Sequence, residues 1–73
     1  MFNDTLELVS AQVHEQWMES KRAQGITSRK SEDGEELMVP YVELSEPQKD
    51  LDRNSVRAVL FALEQLGLKI VEA

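Results

Sequence analysis

Basic residues cluster in one part of this chain. Four of the eight lie between positions 21 and 30, namely Lys21, Arg22, Arg29 and Lys30. The chain as a whole is acidic, with a net charge of −6. A local group of cations in such a chain suits a phosphate, and Thr27 and Ser28 add hydroxyl donors. The alternative is a solvated helix end followed by a charged loop.

Two aromatic residues have the chemistry to bind a flat ring. Trp17 and Tyr41 can stack on a nucleobase, because aromatic faces bind bases without sequence preference. Trp17 lies one helical turn before Lys21, which brings a stacking surface near a cation. The alternative is that both rings are core residues, since Trp17 also falls on an apolar helical stripe. Trp17, Tyr41 and the basic cluster are the candidate ligand-binding residues.

Catalytic and metal chemistry find little support in the sequence. His14 and Glu15 are residue types used in acid–base catalysis, but no nucleophile or second histidine stands near them. We expect His14 to make a structural hydrogen bond instead. With one histidine and no cysteine, the chain has no recognisable zinc set. We therefore predict a protein that is not an enzyme and has no metal or cofactor.

Length and composition predict one folded domain that needs further stabilisation. The chain has 73 residues, of which 41% are hydrophobic and 30% charged, as in folded proteins. A domain this small buries little of its surface, and without cysteine it has no disulfide to compensate. Self-association would supply the missing burial. Its candidate contacts are four apolar residues off the main helical stripes: Phe2, Leu8, Met18 and Phe61.

The acidic charge argues against two classes of partner. Nucleic-acid binding needs a basic face that replaces counterions, and anionic membranes also attract basic segments. The first ten residues, MFNDTLELVS, lack the features of a signal peptide, and no apolar run approaches the ~20 residues of a membrane span. We expect a soluble cytoplasmic protein that binds neither nucleic acid nor membranes.

The elements that must position these residues are mostly helical. Residues 4–24 read as a first helix, with an apolar stripe at Leu6, Val9, Val13 and Trp17 and with Gly25 as its C-terminal cap. Residues 25–36 read as a loop or a two-stranded excursion that turns at EDG. Pro40 excludes a helix and favours a buried extended segment at Leu37, Val39 and Tyr41.

The second half of the chain reads as two further helices. Ser45 caps a short helix that ends near Leu51, with Gln48 in a capping box. Asp52 or Asn54 then caps a last helix over residues 55–66, which closes at Gly67. Its apolar stripe is Val56, Val59, Leu60, Leu63 and Leu66. Residues 68–73 can form a short strand.

The order of these residues resembles the ryanodine-receptor repeat, the RyR domain. The resemblance covers residues 13–67, with VHEQWMESKRAQG followed by LMVPYVELSEPQKDLDRNSV and a helix ending in LEQLG. The matching positions are His14, Glu15, Trp17, Lys21, Gly25, Val39, Pro40, Tyr41, Leu44, Ser45, Glu46, Lys49, Asp52 and Arg53. Two features of the family differ: Glu35 and Glu36 replace its His-Pro pair, and GITSRKSEDG replaces its Gly-Trp-x-Tyr-Gly stretch.

The resemblance implies a fold and a class of function. It implies a compact three-helix single domain, mainly α with a short β element, like the stand-alone modules of bacteria and their viruses. The family has no catalytic chemistry and is associated with adenine-nucleotide binding between paired modules. We therefore expect a non-enzymatic binding module for a nucleotide-like ligand, which self-associates as a homodimer. The alternative is a purely structural protein–protein interaction module.

The same resemblance places several residues in structural positions. Pro40 belongs to the Leu-Val-Pro-Tyr segment, and Ser45 starts the following helix. Asp52 and Arg53 lie at a helix junction. There we expect Asp52 to cap the last helix and Arg53 to pair with an acidic residue of the first helix.

Overall fold

Two long helices make up most of the protein. The computed structural model describes the backbone of residues 2–68 and the side chains of residues 5–68. In chain order, the elements are α1 (Phe2–Ala23), a 3-10 turn (Tyr41–Glu43) and α2 (Glu46–Gln65), and α1 packs against both of the others. The mainly helical fold is confirmed, but the count of three helices is wrong. The short strand expected at the end of the chain falls almost entirely outside the described residues.

The predicted junction between the second and third helices does not exist. Residues 51–55 continue α2 without a break, so Asp52 lies inside the helix and caps nothing. This segment contains no glycine or proline. The helix penalty of Asp and Asn is only a few tenths of a kcal/mol, and each added residue extends a ladder that is already nucleated. The hydrogen bonds of Arg53 to Glu7 of α1 then favour the continuous helix.

Glycine ends both helices, as the sequence predicts. Gly25 and Gly67 have φ of 81° and 77°, in the left-handed region that other residues avoid. In both places the N–H of the following residue donates to the carbonyl four residues before the glycine, at 2.9 Å. These bonds are those of the Schellman motif, and they satisfy carbonyls that the helix end leaves free.

A carboxylate rather than a sheet organises the loop after α1. Within residues 2–68 the only β pairing is an isolated bridge between Lys30 and Glu36, so the predicted β element is not formed there. The Glu36 carboxylate accepts hydrogen bonds from the Ser28 hydroxyl and from the N–H groups of Arg29 and Met38, the last two at 2.8 and 3.0 Å. These bonds, the one from Ser28 most of all, lower the pKa of Glu36 to about 2.

A second acidic residue of this loop holds the start of α2. Ser45 occupies the N-cap position, as predicted, but its side chain makes no capping bond to the helix. Its hydroxyl donates instead to the Glu35 carboxylate at 2.6 Å, and its N–H donates to the same group at 2.8 Å. These two bonds lower the pKa of Glu35. Glu35 therefore ties the loop to the helix start.

Pro40 shapes the segment that crosses from the loop to α2. It has φ −55° and ψ 148°, and its carbonyl accepts the N–H of Glu43 at 2.9 Å to form the 3-10 turn. Tyr41 is buried, as expected for this segment, whereas Leu37 and Val39 are half-buried. The turn directs the Tyr41 ring toward α1, where its hydroxyl reaches Glu7.

The buried face of α1 shares only Leu6 with the apolar stripe that the sequence indicates. The buried residues of this helix are Leu6, Ser10, His14 and Met18, each four positions after the last. Val13, on the predicted stripe, is 44% exposed, whereas Met18 is 1% exposed. The expectation that Met18 is free for self-association is therefore wrong. The contacts of His14 with Val39 and of Glu7 with Arg53 explain why this face is buried, because they hold it against the rest of the chain.

The apolar stripe of α2 is only partly covered. Val56 is buried, and Leu60 and Leu63 are half-buried. Val59 and Leu66 belong to the same predicted stripe but are 58% and 74% exposed. The apolar stripe of α2 is broad, and a fold of two helices has too few elements to cover all of its side chains.

One arginine joins the two helices. Arg53 of α2 donates to Glu7 of α1 through Nε at 3.1 Å and through Nη2, which is the pairing predicted from the sequence. Its Nη1 also donates to Glu46 and Asp50, both at 2.8 Å. Tyr41 adds a bond from its hydroxyl to Glu7 at 2.5 Å. The Arg53 bond, followed by the Tyr41 bond, lowers the pKa of Glu7 to about 2.

Replacing Arg53 by glutamine should destabilise the fold most at neutral pH. The folded-state pKa of Glu7 is depressed, so its contribution to stability is complete above about pH 4.5 and is lost as the pH falls toward 2. The difference in unfolding free energy between the native chain and Arg53→Gln should therefore shrink over that range. Urea unfolding at neutral pH and at two acidic values measures it.

Arg57→Gln is the matched control, because the Arg57 guanidinium bonds to Asn54 within the same helix. This variant should change stability little at any pH. A difference between the native chain and Arg53→Gln that stays constant from pH 7 to 2 contradicts the assignment.

A candidate ligand cleft between the helices

An open cleft lies between α1 and the first half of α2. Its volume is about 200 Å³, and most of its lining is apolar. The residues that line it are Val13, His14, Trp17, Leu37, Leu44, Gln48, Leu51 and Asp52. We call this space the interhelical cleft. A mostly apolar lining with a few polar groups is what small-molecule sites have in common.

His14 is held in one orientation at the cleft. Its Nε2 lies 2.7 Å from the carbonyl oxygen of Val39. Because a carbonyl only accepts hydrogen bonds, Nε2 carries the hydrogen, and Nδ1 of the neutral ring is an acceptor. The ring also stacks on Trp17, with centroids 5.5 Å apart and planes at 23°. The predicted structural hydrogen bond of His14 is therefore present, and it leaves Nδ1 directed elsewhere.

Asp52 is the second polar group that reaches His14. Its Oδ2 lies 3.8 Å from His14 Nδ1, which is too long for a hydrogen bond. Burial raises the pKa of Asp52, and the nearby His14 opposes this only in part. Asp52, which was predicted to cap a helix, instead lines the cleft.

Trp17 and Lys21 form the pair that the sequence predicts. The Lys21 ammonium lies 6.0 Å from the centroid of the Trp17 ring, at the outer limit of a cation–π contact. Trp17 lines the cleft, whereas Lys21 lies one turn further along α1. A stacking surface and a cation therefore adjoin at the rim.

Tyr41 occupies a different place from the one the ligand prediction gives it. Its ring is buried, and its hydroxyl is bonded to Glu7. Burial, with a smaller effect of that hydrogen bond, raises the pKa of Tyr41 to about 12. The Lys49 ammonium lies 5.6 Å from its centroid. Tyr41 is not among the cleft-lining residues.

The other three basic residues of the cluster also lie outside the cleft lining. Arg22 is exposed and contacts Met18 Sδ at 3.9 Å, and Lys30 forms the bridge with Glu36. Arg29 is exposed, and its backbone is bonded to Glu36. Their part in ligand binding stays a prediction.

Several cleft residues were missed in the sequence because of the predicted helix break. Gln48, Leu51 and Asp52 stand at i, i+3 and i+4, a spacing that places side chains on one helical face. A break near Leu51 separates Asp52 from the other two and hides this pattern. Leu37 and Leu44 gave no signal beyond being apolar, because loop residues carry no periodicity.

The described residues contain neither a metal-binding cluster nor a membrane-spanning helix. Over positions 5–68, whose side chains the structure describes, no three acidic or histidine side chains are grouped so that they can hold a metal ion. In the same part of the chain, neither helix has the length and apolarity needed to cross a membrane.

Replacing Asp52 by asparagine should leave stability at neutral pH unchanged or higher. The raised pKa shows that the folded protein disfavours the ionised carboxylate, so removing the charge relieves a cost that exists above the folded pKa and vanishes in acid. Urea unfolding of Asp52→Asn, beside Glu64→Gln as an exposed control on the same helix, measures the effect. A clear loss of stability in Asp52→Asn alone would show that the carboxylate is structural.

Comparison with known proteins gives one family. A family model described as RyR domain matches residues 1–72 of the 73-residue chain. Neither a curated protein nor a solved structure matches the chain at a significant level. The family match covers both helices, the 3-10 turn and every residue that lines the interhelical cleft. The chain therefore belongs to the RyR domain family.

Proposed function

We propose that this RyR domain is a non-enzymatic binding module that takes a nucleotide-like ligand into the interhelical cleft and self-associates. The observation that carries the proposal is the Trp17–Lys21 pair at the rim of an apolar cleft. Trp17 offers a face on which a base can stack, and Lys21 offers a cation for a phosphate.

The size of the cleft supports a small flat group as its occupant. Its volume of about 200 Å³ is below the ~300–1,000 Å³ typical of sites for drug-sized molecules. A single base fits this space better than a whole nucleotide. The sugar and phosphate then extend past the rim, where Lys21 lies, and the remaining basic residues of the cluster act at longer range.

The chemistry of the lining supports binding rather than catalysis. Among the described residues, no serine, threonine, cysteine or lysine lines the cleft, so it lacks hydroxyl, thiol and amine nucleophiles. His14 is buried, and its Nε2 hydrogen is committed to the Val39 carbonyl. Binding is therefore the function that the lining favours.

Exposed apolar residues on α2 support self-association. Five apolar residues on one side of α2 are exposed, namely Leu51, Ala58, Val59, Ala62 and Leu66. We call this surface the outer face of α2. Exposed apolar residues gathered on one side of a helix mark an interaction site, and a second copy is the occupant we propose. Leu51 also lines the interhelical cleft, so a second copy on this face would approach the rim.

The alternative function is a structural interaction module without a small ligand. The outer face of α2 favours it, because that surface needs a protein partner whether or not the cleft is occupied. The cytoplasmic location and the absence of nucleic-acid partners, both expected from the composition, remain predictions.

Binding of the ligand's phosphate group should depend on Lys21. Titration calorimetry should show that the native chain binds adenosine 5′-monophosphate more tightly than adenosine. Lys21→Gln should weaken monophosphate binding up to about fivefold, the range of an exposed ion pair, and should leave the nucleoside unaffected. The advantage of the phosphate should also fall with added salt.

Lys49→Gln is the control for this experiment. Lys49 lies over Tyr41 and near Glu46, and it does not line the cleft. If the native chain gives neither heat nor a melting shift with millimolar nucleotide, the proposed nucleotide binding is wrong and the structural alternative is retained.

Self-association should depend on the outer face of α2. The native chain should show a mass that rises toward a dimer with concentration, together with a melting temperature that rises in parallel. Ala62→Glu should reduce both effects, because it places a charge in the apolar surface. Gln16→Glu adds the same charge to an exposed position of α1 and should change neither. A native chain that stays monomeric at high concentration in sedimentation velocity overturns this part of the proposal.

A further inference from the structure

Among the described residues of α2, those that form its outer face are uncharged. Leu51, Val59 and Leu66 of this face are 61%, 58% and 74% exposed. Ser55, which is also exposed, lies on the same side of the helix. Of the whole chain, 30% of the residues are charged, and the net charge is −6. Copies that carry the same net charge repel each other, so an uncharged apolar face is where two of them can meet.

The order of residues on this face is the same when it is read from either end. With Ser55 included, the positions are 51, 55, 58, 59, 62 and 66, and the steps between them are 4, 3, 1, 3 and 4. The residue types follow the same order, because a leucine stands at each end and a small residue, Ser55 or Ala62, stands one turn inside it. Such a surface is self-complementary, as a two-fold interface between identical subunits requires.

We infer that two copies pair through this face with their α2 helices antiparallel, around a two-fold axis that passes between positions 58 and 59. This inference rests on the self-association in the proposed function and gives its geometry. Leu51 of one copy then lies opposite Leu66 of the second copy, and Ser55 lies opposite Ala62. The leucines cover the two ends of the contact, and the small residues between them let the helices approach closely.

Helix polarity favours the antiparallel pair over a parallel one. In the antiparallel pair, the partial positive charge at the start of each α2 lies near the partial negative charge at the end of the other, whereas a parallel pair brings like ends together. In a parallel pair each residue also meets its own counterpart, so the order of residues need not be the same from both ends. The symmetric order of this face is therefore explained by the antiparallel arrangement.

The small size of the face predicts a weak dimer. Six residues from each copy form the centre of the contact, whereas stable interfaces use roughly 20–30 residues on each side. The pairing should therefore be populated at high protein concentration, where a covalent cross-link can trap it.

Cysteine cross-linking tests the direction and register of the pair, because the natural chain contains no cysteine. Ser55→Cys mixed with Ala62→Cys should form a disulfide under mild oxidation, since these positions lie opposite each other. Either variant alone should give several-fold less cross-linked dimer. Its two identical positions are seven residues apart along the pair, which is about 10 Å at a rise of ~1.5 Å per residue, beyond the ~7 Å that a disulfide spans between Cα atoms.

Two further variants are the controls. Ala58→Cys should cross-link with itself, because position 58 lies beside the two-fold axis. Glu64→Cys, which is exposed on another side of α2, should cross-link neither with itself nor with Ser55→Cys. Far-UV circular dichroism checks that each variant is folded, and sedimentation velocity under reducing conditions checks that each associates as the native chain does.

The outcomes separate the inference from the proposed function. If Ser55→Cys cross-links with itself but not with Ala62→Cys, the pair is parallel, and the inference is wrong while self-association stands. Equal cross-linking through Glu64→Cys, or none through any variant of a chain that does associate, also overturns the inference. If the native chain stays monomeric at high concentration, the proposed self-association fails, and this inference fails with it.

Discussion

The bidentate contact between Arg53 of α2 and Glu7 of α1 is the constraint on which the rest of the structure depends. Arg53 also binds Glu46 and Asp50, so one guanidinium gathers three carboxylates, two of them from its own helix. Tyr41 donates to the same Glu7 and brings the 3-10 turn to this point. A fold with five buried apolar side chains among its described residues has a small core, and directional polar contacts fix how its helices face each other.

The interhelical cleft follows from that arrangement. With Glu7 and Arg53 fixed, the buried face of α1 runs through Ser10 and His14 rather than through Val13 and Trp17. His14 then reaches the Val39 carbonyl, and Trp17 is left at the wall of an open space. The same geometry leaves the outer face of α2 uncovered. The candidate ligand site and the candidate protein interface are thus two results of one helix pairing.

The sequence predicted the parts of the fold that local chemistry determines. Gly25 and Gly67 end helices because the left-handed backbone conformation completes those helix ends. Pro40 keeps an α-helix from running through its position, because its ring leaves no N–H to donate. The pairing of Arg53 with α1 came from the family pattern. The continuous α2 was missed because Asp52 and Asn54 were taken as caps, although they cost a helix little. The burial of Met18 was missed because it depends on contacts with residues far away in the chain. Of the cleft, Trp17 and Lys21 were found by their types, but Asp52 was assigned to a cap that a continuous helix does not need.

Native-state hydrogen exchange on the native chain and on Arg53→Gln tests the central claim most directly. If the Arg53–Glu7 contact sets the helix pairing, its loss should speed amide exchange in residues 39–44 and in the part of α1 that lines the cleft, far from position 53 in sequence. The amide hydrogens of Arg29 and Ser45, which donate to the Glu36 and Glu35 carboxylates, should keep their protection from exchange. Faster exchange confined to the turns of α2 next to position 53 would contradict the account, because the helices would then hold their positions without this contact.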